Sequence, residues 1–82
     1  MLQAQGKLTE AEAAYIDDLS ISRRLVELDP GNTGRHQDLA ATLDRLAEVL
    51  QAQWKLGEAQ AAASEALAIR RRLDGENPTS AG

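Results

Sequence analysis

The chain has 82 residues, among them 15 Ala and 12 Leu but only five Ile or Val and two aromatic side chains. Because Ala and Leu favour helices while strands favour β-branched and aromatic residues, this composition argues against all-β and α/β folds and predicts an all-α protein. Thirteen acidic against nine basic residues give a net charge of −4, which disfavours general binding to nucleic acids or anionic membranes, and the absence of Cys excludes disulfides and thiolate metal sites.

The first long helix predicted from the sequence runs from about Thr9 to Asp29, after a turn at Gly6. Thr9 followed by Glu12 fits a capping box, in which each side chain binds a free backbone amide of the first helical turn. Two adjacent apolar rows follow at helical spacing: Leu8, Ala11, Tyr15, Leu19 and Val26 in one, and Ala14, Ile21, Leu25 and Leu28 in the other. A face this wide predicts contact with two neighbouring helices.

The second predicted helix lies between Asn32 or Thr33 and about Trp54. Pro30-Gly31 interrupts the helical pattern. The side chain of Asn32 or Thr33 is suited to accept a hydrogen bond from a backbone amide of the first turn that follows. Four leucines then recur every three or four residues and form a single apolar stripe: Leu39, Leu43, Leu46 and Leu50. The pattern indicates a helix that is apolar on one side.

The third predicted helix, from about Gly57 to Leu73, is a copy of the first. Residues 2–30 match residues 50–78 at an offset of 48, with 16 identities in 29 aligned pairs. The match defines an internal repeat with a truncated unit over residues 1–30 and a full unit over residues 31–78. We expect a single domain of about three main helices over residues 1–78, followed by a flexible tail at residues 79–82.

The repeat resembles the tetratricopeptide repeat family, whose pattern has a large residue and Leu-Gly on the first helix, a Gly at the turn, and Ala, an aromatic and Ala on the second. In that register the helix-packing positions are Leu43, Leu46, Ala47, Leu50, Trp54, Ala59, Ala63 and Ala66 in the full unit, with Ala11 and Tyr15 in the truncated unit. The 48 residues of this unit exceed the family's roughly 34 by about two turns in each helix, so the resemblance is to a long variant. The resemblance implies antiparallel helix pairs from an α-solenoid.

Two features depart from the family pattern. Trp54 stands at the position of the turn Gly, so we expect either a distorted turn or two partly fused helices, with Gly57 as a compensating flexible point. We interpret Trp54 as a packing residue or as a plug at an interface. The chain also begins inside what would be a first helix, which leaves a broad face of the 9–29 helix uncovered. We therefore expect either a piece of a longer array or a homo-oligomer joined through uncovered helix faces.

The resemblance implies a protein–protein interaction module that binds a peptide or protein on a concave surface lined by first helices. Carried over by position, that surface includes Gln37, Asp44, Arg45, Glu48 and Gln51. Acidic and amide side chains favour a basic or polar partner segment. They differ from the Lys and Asn side chains with which one subgroup holds a C-terminal carboxylate. Two alternatives stay open: these side chains are merely solvated, or the chain is a self-assembling structural repeat without a separate ligand.

No sequence pattern supports catalysis, a cofactor or a metal site. His36 is the only His, and we interpret it as a capping or partly buried side chain. Arg23-Arg24 and Arg70-Arg71-Arg72 lie near the C-terminal ends of their helices, where positive charge offsets the helix dipole; Arg23 and Arg24 can also pair with Glu27. No apolar run is long enough for a bilayer span or a signal-peptide core, so we expect a cytoplasmic protein that binds neither membranes nor nucleic acids.

Overall fold

The structure, a computed structural model, consists of antiparallel helices. It describes residues 2–76, and side chains within residues 6–75, so the tail predicted at residues 79–82 lies outside the described residues. Helix α1 spans Leu2–Leu28, α2 spans Thr33–Ala52 and α3 spans Leu56–Glu76. The described part contains helices and short turns, which confirms the predicted all-α fold of three main helices.

Helix α1 begins well before the predicted position. It continues through Gly6 and Thr9, so the predicted turn at Gly6 and the capping box at Thr9 are wrong. Glu12 instead accepts a hydrogen bond from the Lys55 ammonium group at 3.1 Å, which ties the middle of α1 to the turn before α3. A Gly within a helix costs only about 1 kcal/mol relative to Ala, so flanking helix-forming residues can carry the helix through it.

The link between α1 and α2 is a tight turn at residues 29–32. Asn32 is the N-cap of α2, with extended backbone (φ −86°, ψ 105°), and its side-chain oxygen accepts from the Arg35 backbone amide at 3.3 Å. The half-buried His36 ring donates from Nε2 to the Pro30 carbonyl oxygen at 2.8 Å, so this side chain fastens the turn to the helix. The capping role predicted for Asn32 is therefore confirmed.

The link between α2 and α3 is a helix-ending turn centred on Trp54. The backbone amide of Lys55 donates to the Leu50 carbonyl at 2.9 Å, and that of Trp54 donates to the Gln51 carbonyl at 3.0 Å. This pair of bonds is the Schellman pattern, which needs a left-handed residue at the position Trp54 occupies, and its φ is 64°. The two helices are thus separate, and Gly57 lies inside α3.

Helix α2 is the central helix of the described chain, because both outer helices pack on it. Its buried leucines belong to two apolar clusters. One contains Leu39, Ala40 and Leu43 with Ala62 and Ala66 of α3, and the other contains Leu46 and Leu50 with Ala59. From α1, Leu19 packs against both clusters, while Val26 packs against the first and Tyr15 against the second.

The three helices form an elongated arrangement. The extents are 48 × 26 × 16 Å and the radius of gyration is 14.4 Å, above the roughly 12 Å that scaling gives for a globular domain of this length. Along the described residues the close backbone approaches are those of α1 and α3 to α2, and each outer helix leaves apolar side chains open to solvent. The exposed large apolar residues on these helices are Ile16, Ile21, Leu28, Leu56 and Leu67. Within residues 2–76 no helix is both long and apolar enough to span a bilayer.

Candidate interaction surface

The residues predicted for partner binding lie on the side of α2 that faces away from the buried leucines. We call this surface the α2 strip; it consists of Gln37, Asp44, Arg45, Glu48 and Gln51. Asp44 is half-buried and the other four are exposed. The helix places them together because all five lie about 80–160° around the helix axis from Leu43, which is 1% exposed. The strip is therefore a polar surface on a rigid helix.

One row of the strip borders α3. Gln37, Asp44 and Gln51 are spaced by seven residues, or about two turns, so they form a line along α2. At the middle of this line the Asp44 carboxylate pairs with the Arg70 guanidinium at 2.6 Å. Arg70 therefore holds a carboxylate on a neighbouring helix, which the sequence prediction of a helix-dipole role did not anticipate. Asp44 is correspondingly less available to a partner than Glu48 or Arg45.

Two shallow hollows flank that ion pair between α2 and α3. One, of about 330 Å³, is lined by Gln37, Arg70, Leu73 and Asp74; the other, of about 230 Å³, is lined by Ala47, Gln51, Leu56, Ala59, Gln60 and Ala63. Pockets for drug-sized ligands measure about 300–1,000 Å³ and enclose most of the ligand. These hollows are at or below the lower end of that range. The surface is therefore better suited to an extended chain or a helix than to an enclosed small molecule.

A second ion pair joins the two outer helices. The Arg23 guanidinium donates from both of its terminal nitrogens to the Glu65 carboxylate, at 2.7 and 2.9 Å. This hydrogen bonding raises the pKa of Arg23 above its ordinary value. The predicted pairing of Arg23 with Glu27 is wrong, because the side chain reaches across to α3 instead.

The predicted packing positions fall into three groups. Leu43, Leu46, Leu50, Ala59 and Ala66 are buried, and Ala11, Tyr15 and Ala47 are half-buried. Ala63 is exposed, and Trp54 is 82% exposed. The prediction that Trp54 packs between helices of this chain is therefore wrong, because the left-handed turn directs its side chain away from both clusters. A role for Trp54 at an interface with another molecule stays a prediction.

The next question is whether the described residues bring metal-binding or reactive side chains together. Residues 6–75 hold no cluster of three or more His, Asp or Glu side chains that could bind a metal ion. His36 is engaged with the Pro30 carbonyl, and Arg23 with Glu65. Gln53 has a buried amide nitrogen without a hydrogen-bond partner, but this lies at the α2–α3 turn, away from the strip.

A comparison with protein families yields one match. The family model described as tetratricopeptide repeat matches residues 1–31 and 39–78, which together cover most of the chain and include both units of the repeat. Members of this family generally mediate protein–protein interaction and are non-catalytic modules. Neither a search of curated proteins nor a search of solved structures gives a match.

Proposed function

Because the chain belongs to the tetratricopeptide repeat family, we propose that it binds a basic segment of a partner protein along the α2 strip. The observation that supports this proposal is the exposed polar face of the central helix, which both outer helices leave open. Burial of α2 on its other sides makes the strip rigid, so a bound segment would meet side chains whose backbone is already in place.

The charge of the strip favours a basic segment. Glu48 is exposed, and Arg70 already neutralises Asp44. Asp38, which also lies on α2, adds a second exposed carboxylate. Arg45 is the one basic residue of the strip. Glu48 and Arg45 cancel, so Asp38 leaves this face of α2 with one net negative charge, and the whole chain has a net charge of −4. Association with a Lys-rich segment should be fast and sensitive to salt.

The proposal is tested with a fluorescent Lys-rich peptide and a Glu-rich peptide of equal length, titrated with the protein and followed by anisotropy. We expect measurable affinity for the Lys-rich peptide alone. Glu48→Lys should weaken it by about 3- to 10-fold, equal to about 0.7–1.4 kcal/mol. The matched control is Glu10→Lys on α1, which changes the net charge equally but lies off the strip and should change affinity less than 2-fold by the same scale. Equal effects of the two variants would contradict the strip as the site.

The alternative is a structural repeat that assembles with itself, and the exposed apolar residues of the outer helices favour it. Ile21 is 59% and Leu28 is 74% exposed on α1, and Leu56 is 54% exposed on α3. Light scattering across a range of protein concentrations separates the alternatives. A stable oligomer that no longer binds the Lys-rich peptide supports assembly, whereas a monomer, or an oligomer that still binds it, supports partner binding.

A further inference from the structure

The Arg70–Asp44 ion pair covers a carboxylate that the α2 strip would otherwise present to a partner. The Arg70 guanidinium lies 2.6 Å from the Asp44 carboxylate, and the two side chains are 48% and 41% exposed. An ion pair this open to water contributes little to stability, because water screens both charges. Apolar clusters hold α3 on α2 instead, so another cation can replace Arg70 at Asp44 without disturbing the helices.

A second carboxylate lies one turn from Arg70 on its own helix. Asp74 follows Arg70 by four residues of α3, and both side chains line the hollow of about 330 Å³ together with Gln37 and Leu73. Asp74 is exposed, and within residues 6–75 it takes part in no ion pair. Residues four apart on a helix are neighbours, so Arg70 can exchange Asp44 for Asp74 by turning one side chain.

Release of Arg70 gives the α2 strip two adjacent free carboxylates. Glu48 is exposed and, among the residues whose side chains are described, forms no ion pair. It follows Asp44 by four residues, which is about 6 Å along the helix axis and about 40° around it. In an extended segment, side chains two residues apart point to the same side and are about 6.6 Å apart. Two lysines separated by one residue therefore match the spacing of Asp44 and Glu48.

We propose that Arg70 makes the α2 strip selective for an extended segment in which two lysines are separated by one residue, an inference that rests on the function proposed above. Glu48 binds one lysine, and the other lysine displaces the Arg70 guanidinium from Asp44 toward Asp74. A segment whose lysines are spaced differently reaches Glu48 alone and leaves Arg70 in place. Arg70 is thus a specificity-determining residue, because it limits access to Asp44.

The test titrates two fluorescent peptides with the natural chain and with Arg70→Gln, at about 0.15 M salt so that distant charges are screened. One peptide has Lys at every second position, and the other has the same number of Lys at every third position, so their charges are equal. The natural chain should bind the first peptide more tightly than the second. Arg70→Gln should tighten binding of the first peptide by about 3- to 5-fold and of the second by less than 2-fold, followed by anisotropy.

Arg72→Gln is the matched control. It removes the same charge from the same helix, and Arg72 is exposed and forms no ion pair among the described residues. We expect it to change the affinity for either peptide by less than 2-fold. Circular dichroism of both arginine variants should match that of the natural chain, because neither side chain belongs to the apolar clusters.

Two further substitutions test each position of the Arg70 guanidinium by double-mutant comparison. Asp44→Asn, added to Arg70→Gln, should abolish the gain in affinity for the first peptide, since it removes the carboxylate that Arg70 covers. Asp74→Asn should weaken binding by about 2-fold in the natural chain, because the displaced guanidinium loses its new partner, and should have no effect in Arg70→Gln. An equal loss in both backgrounds would mean that Asp74 contacts the peptide itself.

The selectivity proposal is overturned if Arg70→Gln and Arg72→Gln change affinity equally, if the two peptides respond alike, or if Asp74→Asn weakens binding equally in both backgrounds. Each of these results leaves the α2 strip as a site for basic segments, provided that the natural chain binds a Lys-rich peptide there. Absence of binding by the natural chain and by every variant overturns both proposals. Binding of the first peptide by Arg70→Gln alone supports the inference, since Arg70 then covers Asp44 completely.

Discussion

Trp54 is the residue whose backbone conformation conflicts with its chemistry. A left-handed conformation brings the Cβ of an ordinary residue close to the following carbonyl oxygen, which costs about 1–2 kcal/mol. Its φ of 64° is nevertheless required, because the hydrogen bonds that end α2 depend on it. The indole ring is 82% exposed and so offers little packing energy in return.

Replacing Trp54 with Gly should therefore stabilise the protein. We expect the free energy of unfolding to rise by about 0.5–1 kcal/mol, after allowance for the greater freedom of Gly in the unfolded chain. The corresponding gain in melting midpoint, followed by circular dichroism, is about 2–8 °C. Trp54→Ala is the control, since it removes the ring but keeps the Cβ; equal midpoints for the Gly and Ala variants would show that backbone strain at this position is absent.

At the scale of elements, one stretch of sequence adopts two structures in the same chain. Residues 2–11 and 50–59 are nearly identical, yet the first stretch is helical throughout while the second contains the turn at residues 53–55. In the second copy the turn lets Ala59 of α3 pack against Leu46 and Leu50 of α2. In the first copy α1 continues through the same positions, in keeping with the high helix preference of its Leu, Gln, Ala and Lys residues.

Gly6 offers a direct check of the continuous α1. A Cβ built on Gly6 meets nothing within 4 Å, so Gly6→Ala should add helix stability of about 0.5–1 kcal/mol, measured as a higher unfolding midpoint. Gly34→Ala is the comparison, because a Cβ there lies 3.2 Å from the Asn32 side-chain oxygen that caps α2. It should gain less. A lower midpoint for Gly6→Ala would indicate a turn at Gly6 and contradict the continuous helix.

The elements that sequence patterns predicted well are those with a strong local signal. The leucine stripe and Asn32 located α2 to within two residues, whereas the residues of the α2 strip came from the family resemblance. The contacts that sequence patterns missed are the long side-chain bridges. Arg23 and Glu65 are 42 residues apart, and no local pattern distinguishes Glu65 from Glu27, which lies one turn from Arg23 on its own helix. Only the packing of both α1 and α3 on α2 brings the distant carboxylate within reach.

At the scale of the whole molecule, stability depends on two small apolar clusters. Neither cluster contains a fully buried aromatic side chain. Leu46 is 7% and Ala59 is 8% exposed, and both belong to the cluster that joins α2 to α3. Leu46→Asp or Ala59→Asp places an unpaired carboxylate there, at a cost of about 3–5 kcal/mol. Since a domain of this size has about 5 kcal/mol to lose, we expect either variant to keep at most about 2 kcal/mol and to melt far below the natural protein by circular dichroism.

Glu48→Ala is the control for that result, because this exposed position should change the free energy of unfolding by less than about 0.5 kcal/mol. A Leu46→Asp variant that melts at the same temperature as the natural protein would mean that the assigned register of α2 is wrong.

The position of α2 between the two outer helices has a consequence for motion. Each outer helix has exposed apolar side chains on the side that faces away from α2, so partial opening can begin at either outer helix. The Arg23–Glu65 ion pair joins α1 directly to α3 and so opposes separation of the outer helices. Because both side chains are exposed, water screens this pair. Backbone amides of α2 should accordingly be the last to exchange their hydrogens with solvent, and those of the outer helices should exchange sooner.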